Sequence, residues 1–164
     1  MRRVALIYNP ASGQYSARRD AAIRSALVVF REAGVEAKAY ITDSPDSAAS
    51  HAREAVGEGC DAIVACGGDG TVHAVLQALV GTSVALGVIP LGTANALAAN
   101  LGLIGSPAKV ARILVGASPE RVPVGWIHFH DESGAEEHHF ALMGNRGRVA
   151  GHAPSHEPAE EHGC

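Results

Sequence analysis

Along this chain, short β-rich apolar runs alternate with longer stretches in which apolar residues return every three or four positions. "VALIY" at 4–8 reads as a buried strand, and the segment 16–33 reads as a helix ended by Gly34. A second strand follows at 35–41. "TDSPDSAASHAREAVGEG" carries helix-start chemistry, with Ser44 or Asp43 as cap before Pro45 and Gly57 or Gly59 at the close. "DAIVA" at 61–65 is a third strand that runs straight into glycines. Beyond them Val72, Val75, Leu76 and Leu79 fall at i, i+3, i+4 and i+7, a helix with one buried stripe. "VALGVIP" at 84–90 is a fourth strand, and "NALAANLG" and "PAKVARILVG" are short helices. This βα alternation predicts an α/β fold, a parallel sheet covered by helices on both faces. The chain has no internal repeat.

The last third changes character. "RVPVGWIHFH" and "EEHHFALMG" predict a hairpin across "DESGAE", with Ser133 and Gly134 in its turn. From Arg146 onward the sequence is polar, rich in Gly, Pro, His and Glu, and without periodicity. The expected organisation is therefore one domain over 1–145 and a disordered tail over 146–164. Histidine pairs such as His128/His130 and His138/His139 have spacings that metals use. With no rigid element expected to hold them, a solvated histidine-rich segment is the preferred reading.

Composition narrows the picture. A chain of 164 residues, 47% of them hydrophobic, can bury one sizeable core. A formal charge of −4 argues against a general nucleic-acid binder. Cys60, Cys66 and Cys164 show no C-x-x-C spacing, so reduced cysteines in a cytoplasmic protein are expected. The opening "MRRVALIYNP" has two arginines and an apolar run that stops at Asn9-Pro10, short of the ~7–15 residues of a signal-peptide core. No stretch approaches the ~20 apolar residues of a membrane span.

The chemistry concentrates where strands end. "CGGDGTVH" at 66–73 sets Gly67, Gly68 and Gly70 at the carboxyl end of the third strand, where open α/β sheets bind ligands. Glycine lets a polyanion approach backbone N–H groups closely, and the next helix adds the positive end of its dipole, with Thr71 placed to cap it. Asp69 would repel phosphates unless it holds a bridging Mg²⁺ or accepts a proton from an attacking hydroxyl. The competing reading is a tight strand-to-helix turn in which Asp69 is a turn residue. "YNPASG" at 8–13 and "IPLGTANALAANLG" at 89–102 end two further strands in small hydrogen-bonding loops, which predicts a polar cleft along one sheet edge. No G-x-x-x-x-G-K-[ST] exists, and neither Lys38 nor Lys109 lies in a glycine loop, so a P-loop NTPase is excluded. No G-x-G-x-x-G follows a strand, which leaves a dinucleotide site poorly supported.

With "NPASG" at 9–13, "GGDGTVH" at 67–73 and "PLGTANALA" at 90–98 in that order, the sequence resembles the diacylglycerol kinase catalytic domain family. That family includes bacterial diacylglycerol kinases and sphingosine and ceramide kinases, with NAD kinases as distant cousins. The likeness covers about residues 3–143. It implies a Rossmann-like N-terminal α/β domain, a C-terminal β-sandwich that completes the lipid pocket, and ATP with Mg²⁺ in the cleft between them. Carried over by position, it implies that Asn9 and Ser12 hold the nucleotide. Gly67, Gly68 and Gly70 would pass its phosphates, Thr71 and Thr93 would donate to them, and Asn95 would line the same cleft. Asp69 would stand near the metal and the reacting centre. The implied partners are a nucleotide and a lipid at a membrane surface, with a peripheral cytoplasmic protein and a homo-oligomer as further expectations.

The chain also departs from the family pattern. Ala74 stands where Glu is usual, Ala96 where Asp is frequent, and Pro123 where a strand Asp is frequent. "FALMG" at 140–144 resembles the entry to the sandwich domain, but the following residues lose the likeness, as a truncation or frame shift near Met143 would produce. The leading expectation is an ATP-dependent lipid kinase represented by its nucleotide-binding domain, inactive alone. The alternatives are a non-catalytic nucleotide-binding fragment and an NAD-kinase-like phosphotransferase, the latter disfavoured by "NPASG".

Overall fold

Four parallel strands form the centre of the fold in a computed structural model, which describes residues 1–10, 16–131 and 134–141. They are β1 (Arg3–Tyr8), β2 (Glu36–Ile41), β3 (Ala62–Gly67) and β4 (Ala85–Pro90), in the spatial order β2-β1-β3-β4. β1 and β3 lie side by side in the middle, with Val4 opposite Ala62 and Tyr8 opposite Cys66. Both are continuous apolar runs because both of their faces are covered: every residue of β3 and all of Val4–Tyr8 is buried. β2 at the edge alternates instead, and carries Lys38 near its middle. An edge lysine is one device that keeps an open strand from pairing with another chain.

Helices α1 (Ser16–Glu32) and α5 (Pro107–Gly116) pack together on one face of the sheet. On the other face α2 (Pro45–Gly57) packs against α3 (Asp69–Leu79). A short α4 (Ala96–Asn100) follows β4. This arrangement follows from right-handed crossovers. The chain moves outward from β1 to β2, and then back past β1 to β3 and on to β4, so the helices fall on opposite faces. Phe30, Leu6, Ile7, Ile63 and Ile89 are the largest fully buried side chains, and they bind the two helical layers to the sheet.

The local signals read from the sequence mostly hold. Ser44 caps α2: the Ser47 N–H donates to Ser44 Oγ and the Ser44 N–H donates to Ser47 Oγ, both at 3.2 Å, with Pro45 next in the chain. Gly34 takes φ +76° just past α1, and Gly59 takes +80° just past α2. β3 runs to Gly67, beyond the predicted end at 65, because Cys66 and Gly67 pair with Ile89 and Pro90 of β4. Cys60 and Cys66 are free and buried, and burial pushes both thiols up from their ordinary range.

The expected hairpin is present as β5 (Val124–Asp131) and β6 (Gly134–Ala141), an antiparallel pair. Gly134 pairs with Asp131 as the first residue of β6 and is not in the turn, whereas Ser133 and the tail over 146–164 lie outside the described residues. The hairpin attaches to α3 through a side chain acting as backbone. Gln77 Nε2 donates to the His139 carbonyl at 2.6 Å, and the His139 N–H donates to Gln77 Oε1 at 2.8 Å. One turn away the His73 and His138 rings stack, their centroids 5.5 Å apart.

Truncating Phe30, which has no exposed surface, should therefore be costly. Phe30→Ala is expected to lower unfolding free energy by about 3–5 kcal/mol, whereas Val28→Ala on the exposed face of α1 should change it by less than ~0.5 kcal/mol. Urea denaturation of the two variants measures the difference.

Candidate functional site

The strand order puts a topological switch point between β1 and β3: the chain leaves β1 toward β2 but leaves β3 toward β4. Connections departing in opposite directions open a crevice beyond the carboxyl ends of the two strands. Asn9 stands immediately after β1, and Gly68 immediately after β3. The turn after β4, from Leu91 to Asn95, lies alongside. Ser12, also expected at this edge, lies outside the described residues.

The two glycine loops meet backbone to backbone. A Cβ on Gly92 would stand 2.5 Å from Gly68 Cα and 2.9 Å from Asn95 Oδ1, so no side chain fits there. The Leu91 N–H donates to the Gly67 carbonyl at 2.9 Å and continues the β3–β4 ladder into the loops. None of Gly67, Gly68 and Gly70 adopts a positive φ, so the turn does not need glycine for its dihedral angles. What it needs is space. A Cβ on Gly67 would run into the Thr71 side chain, and one on Gly68 would touch Gly92 Cα at 3.4 Å. Gly70 differs: it is exposed, and a Cβ there meets nothing within 4 Å.

Thr71 does not cap the following helix, contrary to the sequence expectation. Gly68 is the cap, in extended conformation, and α3 begins at Asp69. The reason is that the Thr71 and Val72 N–H groups already bond to the Gly68 carbonyl, at 3.1 and 3.2 Å, so the first turn is wound before Thr71 is reached. Gly68 offers no side-chain oxygen, so the Asp69 and Gly70 N–H groups stand outside this bonding at the positive end of the helix dipole.

Asp69 joins the two loops. Its Oδ1 accepts the Ala96 N–H at 2.9 Å across the crevice, at the start of α4. Asn95 holds the second loop shut: Oδ1 accepts the Gly92 N–H at 3.0 Å, and Nδ2 donates to the Gly92 carbonyl at 2.6 Å. It does so from a left-handed backbone, φ 49° and ψ 46°, which asparagine tolerates better than most residues. Thr93 is exposed at the tip of the same loop.

Two residues that the sequence pattern did not single out stand at this edge. Thr42, buried at the end of β2, donates through Oγ1 to the Ser44 carbonyl at 2.7 Å and braces the start of α2. Arg19, in the first turn of α1, spans the crevice to donate from Nη2 to the Leu91 carbonyl at 2.9 Å, while its Nη1 is sealed from solvent without a hydrogen-bond partner. Only their place beside the strand ends, which needs the fold, marks them out. At the opposite edge of the sheet Arg3, Glu36, Lys38, Glu58 and Cys60 line an open concavity of about 380 Å³. Its walls are exposed ion pairs, Arg3–Glu36 at 2.9 Å and Lys38–Glu58 at 3.1 Å, which suit solvent contact more than a ligand.

A parallel sheet with its small-residue loops gathered at one switch point defines a Rossmann-like α/β domain. Within that class the chain belongs to the diacylglycerol kinase catalytic domain family, which it matches over residues 3–127. It is 34% identical over 136 residues to a diacylglycerol kinase of Mycobacterium tuberculosis (strain ATCC 25618 / H37Rv), covering 82% of this chain and 43% of that protein. With a diacylglycerol kinase of Staphylococcus aureus (strain MRSA252) it shares 38% identity over 96 residues, 57% of this chain and 30% of that one. The crystal structure of a diacylglycerol kinase from Bacillus anthracis str. Sterne has the same fold, with a TM-score of 0.65 at 24% identity over 81% of this chain and 45% of that chain. The chain thus spans less than half the length of these relatives.

The contact between the loops makes a stability prediction. Gly92→Ala forces the Gly68 backbone or the Asn95 amide to move, and is expected to cost about 1–3 kcal/mol. Equilibrium unfolding in urea would register it as a lowered midpoint with an unchanged slope.

Proposed function

We propose that this chain is the nucleotide-binding part of an ATP-dependent lipid kinase that phosphorylates the hydroxyl of diacylglycerol or a sphingoid-type lipid. The observation that carries this reading is the abutment of Gly68 and Gly92 at the switch point, beside an α3 start with no side-chain cap. The junction carries no side chain and the Asp69 and Gly70 N–H groups lie beside it without a cap, which suits a polyphosphate. Membership of a kinase family supports a nucleotide as its carrier, and in this reading that nucleotide is ATP.

In this reading Gly67, Gly68 and Gly70 pass the phosphates, Thr71 and Thr93 donate to them, and Asn9 and Ser12 hold the rest of the nucleotide. Asn95 acts by keeping the second loop closed. The lipid hydroxyl oxygen bonds to the γ-phosphorus, the bridging P–O bond breaks and ADP leaves. The hydroxyl proton passes to a carboxylate, for which Asp69 is the candidate. Among the described residues no group of three or more His, Cys, Asp or Glu can hold a metal. The alternative role for Asp69 is as a ligand that would hold Mg²⁺ beside the phosphates, since this ion commonly takes one or two carboxylates together with substrate phosphates. When bound, it neutralises charge on the phosphates.

No helix among the described residues is long and apolar enough to cross a membrane. In this reading the protein is cytoplasmic and meets its lipid at a bilayer surface from outside. Positioning supplies most of the acceleration in phosphoryl transfer, and the described residues offer a surface for the phosphates only. The 164-residue chain is therefore expected to bind ATP but turn over short-chain diacylglycerol far below the ~1–100 s⁻¹ usual for kinases. Product formation in that range would show that these residues position the lipid as well.

Two substitutions test the site. Asp69→Asn keeps an oxygen for the Ala96 N–H, so folding should be preserved, whereas kcat in an active full-length relative carrying the equivalent change should fall by orders of magnitude. Gly70→Ala separates a ligand surface from a simple turn. Alanine fits the protein there and should stabilise α3 by about 0.5–1 kcal/mol, yet it should weaken ATP binding by filling the space beside the phosphates. A stabilised variant with unchanged ATP affinity, measured by calorimetry, would reduce the motif to a turn.

A further inference from the structure

The Arg19 guanidinium is half accounted for. Nη2 donates to the Leu91 carbonyl at 2.9 Å, and Leu91 is bonded in turn to Gly67, so the group lies over the junction of the two glycine loops. Nη1 is buried without a hydrogen-bond partner, the only side-chain polar atom in that state among the described residues. Arginine carries its charge at every physiological pH, so it cannot relieve such burial by losing a proton. A buried donor left unpaired is costly, and more so when it is charged.

No carboxylate among the described residues takes the role. Asp20, next to it on α1, accepts the Tyr8 hydroxyl at 3.2 Å, and Asp69 accepts the Ala96 N–H. No ion pair among the described residues includes Arg19. Its position on the helix is also unfavourable. Arg19 stands in the first turn of α1, which contains no acidic residue, where the helix dipole disfavours a cation. Two unfavourable placements of one group, at the edge where a polyanion is expected, call for an anion to offset both.

We propose that Arg19 is a phosphate-binding residue of the nucleotide site, with Nη1 donating to a phosphoryl oxygen of ATP while Nη2 fixes the loop after β4. The proposal rests on the nucleotide reading above. It adds a cation to a cleft whose glycine motifs contain none, and it makes recognition of the phosphates depend on α1.

Isothermal titration of the full 164-residue chain with ATP and with adenosine, for wild type, Arg19→Gln and Arg19→Lys, tests it. Glutamine keeps an amide donor but has no charge and is shorter than arginine, so thermal melts of the unliganded variants check whether the loop tether survives, and Arg19→Lys supplies a longer donor. The expected result is a loss of about tenfold or more in ATP affinity for Arg19→Gln, with adenosine affinity changed less than about twofold. Arg19→Lys should fall between, because lysine keeps the charge but not the planar fork. The wild-type affinity for ATP should also fall more steeply with added NaCl than that of Arg19→Gln. Parallel losses for ATP and adenosine, or no loss for either, would assign Arg19 to loop support alone and overturn the proposal. If the wild type itself binds no ATP, the nucleotide reading fails and this proposal with it.

Discussion

Gly68 and Gly92 touch without a side chain between them, and the arrangement of the carboxyl edge depends on that contact. Two strand ends in a parallel sheet are ordinarily about one strand spacing apart, which leaves little room for loops carrying side chains. Removing the Cβ atoms at the junction lets the β3–β4 ladder continue to Leu91 and brings Asp69 within reach of Ala96. A side chain at Gly92 would push against the Gly68 backbone and the Asn95 amide, and the bonds that Asp69, Asn95 and Arg19 make to this loop depend on its place. The glycines act first on the protein's own backbone, and the open surface is a result of that packing.

Asp69 is compatible with both readings that the sequence left open. It is a structural turn residue, since Oδ1 is engaged by a backbone N–H from the neighbouring loop. That bond also fixes the direction of the carboxyl group, which is what a metal ligand or proton acceptor requires. The Ala96 at this contact is informative because only its N–H is used, so the position does not demand a particular side chain. The side chain that would compete for the crevice is absent.

The sheet, its helices and most helix ends were legible because they rest on local rules: apolar periodicity for α3, a serine cap and proline for α2, and a positive-φ glycine after α1. The unbroken apolar run Val4–Tyr8 read as a buried strand, as its burial bears out. The glycine and aspartate of the β3–α3 turn were legible as a place, but the start of α3 was misplaced from Gly68 to Thr71. The sequence offered a hydroxyl residue as a cap, whereas the backbone winds from a glycine that has no cap to give. Arg19 was not legible at all. Its distance from Leu91 in the chain is closed only by the packing of α1 over the sheet, and arginine in a helix ordinarily reads as a solvated residue.

The amide of Gln77 completes an extra rung for β6, binding both the N–H and the carbonyl of His139. Gln77 sits eight residues beyond Asp69, about 12 Å down the same helix. α3 is therefore a strut with the glycine turn at one end and the hairpin clamped near the other. The crevice and the hairpin thus share one helix, and the Gln77 amide ties the position of β6 to it.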